Sequence, residues 1–213
     1  MDEKTAARPK QADIASPRRS PSQQRSRERV ERMLAAASAL IAEQGSDAMR
    51  MGEVAERAGV SIGSLYQFFP DKRAIVWALA ERYTAESQAC ISTALKDVGD
   101  KHGLRQAFSE LVDIYYRLFL AEPVMRDIWS GTQADKALRE LELADSRANA
   151  DFLLAVLKRI RPDADPIELE TAAFLVWQMG EAAVRLAISV ERDEGDRLVE
   201  AYKRMALREL VGE

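Results

Sequence analysis

The chain has 213 residues, of which 47% are hydrophobic, so it can bury a sizeable core as one large domain or two small ones. Its single cysteine, Cys90, and single histidine, His102, exclude an intrachain disulfide and disfavour both a structural zinc site and a Ser-His-Asp triad. The 31 Lys and Arg against 35 Asp and Glu give a formal net charge of -4, which at face value argues against nucleic acid as a partner.

Residues 1–26 are rich in Pro, Ser and Gln and almost devoid of large apolar residues, a composition that predicts a disordered segment. Its basic side chains, among them Arg18, Arg19 and Arg25, leave two interpretations open: a solvated tail, or a basic arm that lies along DNA. Neither this segment nor the most apolar stretch, residues 174–190, has the character of a signal peptide or a membrane span. We therefore expect a cytoplasmic protein without a membrane partner.

Apolar residues recur at helical spacing through nearly all of the remaining chain. The first stripe starts at Val30 and stops at Gly45, and two short helices follow over residues 51–58 and 62–69. Asp71 can cap a long fourth helix. Further helices are predicted to begin near Leu104 and Pro123, and then to cover about 133–161 after a capping box at 132–135, 166–192 and 195–211. The pattern predicts an all-α protein of about nine helices.

The first three helices contain a helix-turn-helix, because a tight glycine turn joins the second helix to the third. Gly59 supplies the backbone conformation that such a turn needs, often with positive φ. Val60 can fill the angle between the two helices, and Ser61 can cap the third helix so that its amino end points at a phosphate or a base edge. This arrangement predicts a DNA-binding module.

The run MRMGEVAERAGVSIGSLYQFFPDKRAIVWAL resembles the DNA-binding segment of the TetR family of bacterial transcriptional regulators. With the preceding helix, the resemblance covers about residues 27–80, and the rest of the chain matches only in length and helix count. The matching residues are Val54, Ala55, Ala58, Gly59, Val60, Ser61, Gly63, Leu65, Tyr66, Phe69 and Lys72.

The resemblance implies a DNA-binding domain over residues 27–73, whose third helix is the recognition helix in the major groove. Ile62, Ser64 and Gln67 would then read bases, with Gln67 offering a bidentate pair to adenine and Ile62 an apolar contact to a thymine methyl. Gly63 would let the backbone approach the DNA. The alternative for Ile62 is burial in the core.

The resemblance also implies phosphate contacts from Tyr66 and Lys72, beside the helix start at Ser61. The alternatives are a Tyr66 that only packs with its hydroxyl in water, and a Lys72 that is a plain surface lysine. Arg50 stands where the family often has Thr at the start of the second helix. Arg can still reach a phosphate, but capping of that helix then passes to Asp47 or is lost.

The same resemblance implies that residues 74–213 bind an effector and form a dimer, in which the last two helices of each chain make a four-helix bundle. The alternative is that the apolar stripes of these two helices pack only within the monomer. The candidate dimer residues are Val176, Met179, Gly180, Ala183, Leu198, Tyr202 and Met205. The middle helices would enclose the effector. For each candidate pocket residue, the alternative is that its side chain is simply part of the hydrophobic core. The candidate pocket residues are Phe108, Tyr115, Phe119, Trp129, Phe152, Trp177 and Gln178. Gln178, Glu181 and Arg185 interrupt an apolar stretch and would orient a ligand, pair at the dimer seam or face solvent.

The leading hypothesis is a homodimeric TetR-like regulator, a repressor that binds a palindromic operator and is released by a small-molecule effector, with no metal, cofactor or catalytic residue. The alternatives are an all-helical enzyme and a helical interaction module without DNA function. Residues 1–73 hold 13 Lys and Arg against 10 Asp and Glu, a net charge of +3, which leaves -7 for the remainder. The acidic sum therefore does not oppose DNA binding by the amino-terminal part.

Overall fold

The computed structural model describes residues 21–132 and 136–212, and within these ranges it contains nine α-helices and no strand. The all-α prediction is therefore confirmed. The helices are α1 (Pro21–Gln44), α2 (Met51–Ala58), α3 (Ile62–Phe68), α4 (Lys72–Leu95), α5 (Lys101–Ala121), α6 (Pro123–Thr132), α7 (Lys136–Ile160), α8 (Pro166–Ala187) and α9 (Arg192–Val211). No helix in the described ranges is long and apolar enough to cross a membrane.

The first helix begins earlier than its apolar stripe indicates. α1 starts at Pro21, so residues 21–26 are helical, and their assignment to a disordered segment is wrong. Gln24 Nε2 donates to Glu28 Oε1 at 3.1 Å, a polar pair one turn apart that supports this extension without apolar residues. The rest of the predicted arm, residues 1–20, lies outside the described residues, as do residues 133–135 of the predicted capping box.

The break between the last two helices lies before its predicted position. α8 ends at Ala187 and α9 begins at Arg192, so the predicted start at Gly195 is wrong. Gly195 is buried in the first turn of α9, where a Cβ atom would collide with the carbonyl oxygen of Ala187 and the hydroxyl of Tyr116. This glycine therefore permits the close approach of two helix ends and does not interrupt a helix.

Two large apolar cores lie at opposite ends of α4. The amino-terminal core joins α1, α2, α3 and the start of α4 through fully buried side chains such as Met33, Val54 and Leu65. α6 adds Val124 and Ile128 to that core. The carboxy-terminal core joins the end of α4 to α5, α7, α8 and α9. The continuous helix α4 therefore connects the helix-turn-helix mechanically to the larger helical body.

The loop between α1 and α2 is held from two sides. The Ser46 N–H donates to Asp127 Oδ2 of α6 at 3.1 Å. Lys72 Nζ, at the start of α4, donates to the carbonyl oxygens of Ser46 at 3.4 Å and Asp47 at 2.8 Å. This loop thus couples the helix-turn-helix both to α4 and to α6, the short helix that contacts the carboxy-terminal body.

Candidate nucleic-acid interface and effector cavity

The turn between α2 and α3 has the geometry that the sequence predicts. Gly59 adopts a left-handed conformation with φ of 64°. Its N–H donates to Glu56 O at 3.1 Å and the Val60 N–H donates to Ala55 O at 3.0 Å, a pair of bonds that ends α2 cleanly. Ser61 then caps α3, because its Oγ accepts from the Ser64 N–H at 3.1 Å. The helix-turn-helix is confirmed by its own hydrogen bonds.

The recognition helix α3 separates a buried face from an exposed face. Leu65 is fully buried, whereas Ile62 is 45% and Tyr66 50% exposed. Gln67 is also exposed, and no atom lies within 4 Å of the place where a Cβ atom of Gly63 would be. The alternative of a buried Ile62 is therefore wrong. The exposed face, Ile62, Gly63, Tyr66 and Gln67, is free to meet another molecule.

The amino-terminal part of α1 runs beside this face. Arg29 NH1 donates to Ser64 Oγ at 3.5 Å, so Ser64 is half-buried and its hydroxyl already has a neighbour. Arg25, Arg29 and Arg32 are all exposed and follow one another at i, i+4 and i+7 along one face of α1. The sequence analysis missed this basic stripe, although its helical spacing is readable once α1 is extended to Pro21.

Lys72 and Arg50 occupy different environments. Lys72 is half-buried, and two of its three N–H groups bond the loop carbonyls described above, which leaves at most one for a phosphate. Arg50 is exposed at the start of α2, where its N–H donates to Glu53 Oε2 at 3.4 Å. Glu53, and not Asp47, therefore satisfies that helix end.

The candidate dimer residues divide into two groups. Val176, Gly180 and Tyr202 pack within the monomer, since Tyr202 Oη donates to the Val176 carbonyl at 2.7 Å and lies against Gly180. Ala183 and Leu198 are half-buried in the same way. Met179 and Met205 are exposed, and so are three further apolar residues of α8: Ile167 at 73%, Leu175 at 55% and Leu186 at 52%.

A cavity of about 370 Å³ lies among α4, α5, α8 and α9. Three of the predicted pocket residues line it: Phe108, Tyr115 and Trp177. Residues that were not predicted to line a pocket also surround it, among them Tyr83, Cys90 and Tyr202. Glu181, for which ligand contact was one of three open roles, lines it as well. Its volume lies in the range of small-molecule sites.

A smaller chamber of about 100 Å³ adjoins this cavity and shares Tyr83, Ser87, Tyr115 and Glu181 with it as lining residues. Phe119 and Trp129 from the prediction line this chamber, with Ile128 of α6. Phe152 packs against the carboxy-terminal core, and Gln178 lines a shallow groove on the outer surface instead. α6 therefore contacts both the amino-terminal core and the chamber.

Three carboxylates line the smaller chamber, and one of them, Glu181, also lines the larger cavity. Glu181 Oε1 accepts from Ser146 Oγ at 2.6 Å, and Asp145 Oδ1 accepts from Gln88 Nε2 at 2.8 Å. Burial raises the pKa of Glu181 from 4.5 to about 7, and it also raises the pKa of Asp145. Burial, and secondarily the charge of Glu181, hold the pKa of Tyr115 well above its usual value.

Glu142, the third carboxylate, is paired with a cation. Its Oε1 accepts from Arg185 NH2 at 3.0 Å and from Trp129 Nε1 at 2.9 Å, and the Arg185 guanidinium lies 4.4 Å from the centre of the Trp129 ring. Of the three polar residues whose role the sequence left open, Glu181 therefore faces the cavity. Arg185 forms an ion pair within the monomer.

Comparison with known proteins identifies both parts of the chain. The family described as "Bacterial regulatory proteins, tetR family" matches residues 33–79, and the one described as "Tetracyclin repressor-like, C-terminal domain" matches residues 102–213. The HTH-type transcriptional repressor KstR of Rhodococcus jostii is 45% identical over 58 residues, which are 27% of this chain and 27% of that protein. The chain thus aligns with about a quarter of the length of this relative.

Solved structures share the fold over nearly the whole chain. A TetR-family transcriptional regulator from Streptomyces coelicolor has a TM-score of 0.68 at 29% identity, covering 88% of this chain and 97% of its own. GusR of Salmonella enterica has a TM-score of 0.66 at 20% identity, covering 87% and 96%, and shares the fold. TetR-family transcriptional regulators are DNA-binding proteins and not enzymes, which decides against the enzyme alternative. The chain belongs to the TetR family of bacterial transcriptional regulators.

Proposed function

We propose that the protein is a homodimeric repressor that binds a palindromic operator through two recognition helices and is released when a small molecule occupies its cavity. The observation that carries the proposal is the exposed face of α3, where Ile62 and Tyr66 lie in solvent while Leu65 of the same helix is fully buried. A helical interaction module without DNA function has no use for this face. The relatives that align with this part are named repressors, which supports repression. Because bacterial DNA lies in the cytoplasm, a cytoplasmic location is part of the proposal.

Base reading falls to the exposed residues of α3. The Gln67 amide offers one donor and one acceptor to an adenine edge, and the Ile62 side chain offers an apolar contact to a thymine methyl. Ser64 is half-buried beneath Arg29, so it reads a base only if that contact opens. Gly63 keeps the helix surface low enough for close approach.

Phosphate contacts position the helix in the groove. Tyr66 and Arg50 are exposed, and Ser61 presents the capped amino end of α3. Arg29 joins them, since it already touches Ser64. Lys72 acts mainly by holding the α1–α2 loop, because two of its donors are engaged there. We therefore assign Lys72 a positioning role with at most one phosphate bond.

A second copy of the chain is the proposed occupant of the exposed apolar face on α8 and α9. A single seven-residue recognition helix reads few base pairs, so two-fold pairing is needed to double the contacts at half-sites about 34–36 Å apart or multiples of that. An apolar patch of this extent marks an interaction surface on a soluble protein. Its members are Ile167, Leu175, Met179, Leu186 and Met205.

The short helix α6 is the proposed link between effector and DNA. Trp129 and Ile128 of α6 line the smaller chamber, while Asp127 holds the Ser46 N–H of the α1–α2 loop. A ligand that displaces α6 would therefore pull on the loop that orients the helix-turn-helix. A coupling of about 1–3 kcal/mol between the two sites is typical of such regulators and requires only a few altered contacts.

Selection of bound duplexes from a random pool tests the proposal. We expect enrichment of one palindromic sequence whose half-site spacing reflects the dimer. Gln67→Ala should then weaken binding to the selected site by about 1–3 kcal/mol and leave binding to random DNA unchanged. Enrichment of no sequence at low salt would refute the DNA-binding role. Equal loss on selected and random DNA would refute the assignment of Gln67 to base reading.

A further inference from the structure

The charged residues that line the cavity and the smaller chamber all have the same sign. Among the described residues that line the two chambers, every side chain that carries a formal charge near neutral pH is a carboxylate. Glu86 and Glu122 are exposed, with Glu86 paired to Arg82 at 3.0 Å, so solvent weakens their effect on a bound ligand. Three carboxylates lie deeper and line the smaller chamber, Glu142, Asp145 and Glu181, and of these Glu181 also lines the larger cavity.

Two of these three deeper carboxylates have only neutral hydrogen-bond donors. Arg185 neutralises Glu142 and does not itself line either chamber. Asp145 receives hydrogen bonds from Gln88 and Asn149, and Glu181 receives them from Ser146 and, at 3.5 Å, Gln178. A carboxylate buried in this way is destabilised unless a positive charge approaches it. The nearest cation, Arg185, lowers the pKa of Glu181 only as a minor cause, and its guanidinium is bound to Glu142.

Five aromatic side chains line the cavity, beside aliphatic residues such as Leu111. The aromatic residues are Tyr83, Phe108, Tyr115, Trp177 and Tyr202. Aromatic rings attract cations through the negative potential over their faces, most strongly where water is excluded. Rings combined with unpaired carboxylates favour a ligand that is both apolar and positively charged. An anionic ligand would meet only charges of its own sign.

We propose that the effector is an organic cation, an amine or quaternary ammonium compound with an apolar body, whose positive charge lies against Glu181. The proposal rests on the proposed function in one respect, that the cavity is the effector site. It adds the chemical class of the ligand, which excludes carboxylates and phosphate esters.

Three probes of nearly the same size and shape test the chemical class. Benzyltrimethylammonium is a fixed cation, neopentylbenzene is its uncharged isostere, and 3-phenylpropanoate is an anion. Binding is measured on the full chain without DNA, by calorimetry and by the fluorescence of Trp177, which lines the cavity. We expect the cation to bind at least about tenfold more tightly than the isostere, a ratio that corresponds to about 1.4 kcal/mol. We expect no binding of the anion.

Glu181→Gln tests the residue. The amide can still accept the hydrogen bond of Ser146, so we expect the cation to lose its advantage while the affinity of the isostere stays unchanged. Glu170→Gln is the matched control on the exposed side of the same helix and should leave all three affinities as they are. A thermal unfolding curve of each variant establishes that it folds, and the comparison of probes on the unaltered chain stands independently of any variant.

The pH dependence gives a further readout, because the charge of benzyltrimethylammonium does not titrate. Its affinity should fall as the pH is lowered through about 7, where Glu181 takes up a proton. Other titratable or charged groups face Glu181 from the elements around it. These groups are Tyr83, Tyr115, Glu142, Asp145, Arg185 and Tyr202.

The outcomes separate this inference from the proposed function. Equal or tighter binding of the isostere or of the anion overturns the cation assignment, and so does failure of the cation to bind at millimolar concentration. If the cation binds through Glu181 but leaves the complex with the selected operator intact, the ligand class stands and release by that ligand fails. If operator selection fails while the cation binds, only the DNA-binding role is refuted.

Discussion

Glu181→Gln should stabilise the protein at alkaline pH and leave its stability unchanged in acid. Glu181 has a pKa raised from 4.5 to about 7, chiefly because burial disfavours its charged form. Below pH 4.5 the group is protonated in both the folded and the unfolded chain, so it has no effect on the free energy of unfolding. Between pH 4.5 and 7 the unfolded chain releases this proton and the folded chain keeps it, so stability falls as the pH rises.

The magnitude follows from the two pKa values. Ionising Glu181 inside the folded chain, with a pKa of about 7 against 4.5, corresponds to a loss of about 3 kcal/mol of unfolding free energy by pH 8. Gln carries no charge and can still accept from Ser146, so the variant avoids most of this loss. For a chain of this size the midpoint of thermal unfolding at pH 8 should rise by roughly 6–12 °C.

The assay is urea and thermal unfolding of both proteins at pH 5, 6.5 and 8. Glu170→Gln, on the exposed side of α8, is the control and should follow the unaltered protein at each pH. Asp145 also has a raised pKa, so the Glu181 variant should keep a smaller decline with pH. Equal decline in the variant and the unaltered protein, or a Glu181 variant that is less stable at pH 8, would refute the idea that ionised Glu181 is buried without compensation.

Three other substitutions test the packing, the DNA interface and the coupling. In Gly180→Ala the new Cβ atom would lie 2.7 Å from Tyr202 Oη, which would push the hydroxyl off the Val176 carbonyl and should lower the unfolding free energy by about 1–3 kcal/mol in urea titration. Arg29→Ala should weaken binding to selected and random duplexes alike and reduce the slope of log affinity against log salt by about one. In Asp127→Ala, α6 no longer holds the Ser46 N–H. The factor by which benzyltrimethylammonium weakens operator binding should therefore fall several-fold, which corresponds to a loss of about 1 kcal/mol of coupling free energy.

Each of these has a matched control. Gly52→Ala places a Cβ atom in open space on α2 and should stabilise the chain by up to about 1 kcal/mol, so equal destabilisation by both glycine changes would contradict the contact with Tyr202. Arg204, exposed on α9, provides the control for Arg29, and Arg204→Ala should leave DNA binding unchanged. If Arg29→Ala weakens binding to the selected duplex but not to random DNA, Arg29 reads a base and does not bind a phosphate. Asp151→Ala, exposed on α7, should keep the full response to the cation; an undiminished response in Asp127→Ala would exclude α6 as the link.

The helix-turn-helix could be predicted from the sequence because the signals that define it act over a few residues. The left-handed conformation of Gly59 and the Ser61 cap are set within one turn of the chain, and Asp71 caps α4 by accepting from the Ala74 N–H at 2.8 Å. The start of α8 was predicted correctly for the same reason, because its cap is also local: Asp165 Oδ1 accepts from the Ile167 N–H. Nothing distant is needed for any of these bonds.

The sequence alone therefore determined the helical class and the helix-turn-helix. Only the tertiary structure decided which way α8 and α9 turn: Val176 and Tyr202 inward, and Met205 outward. It also separated Glu181, at the cavity, from Arg185, paired with Glu142. Helical periodicity shows that a stripe is apolar, but not which neighbour covers it, because that neighbour lies far away along the chain and is brought close only by folding.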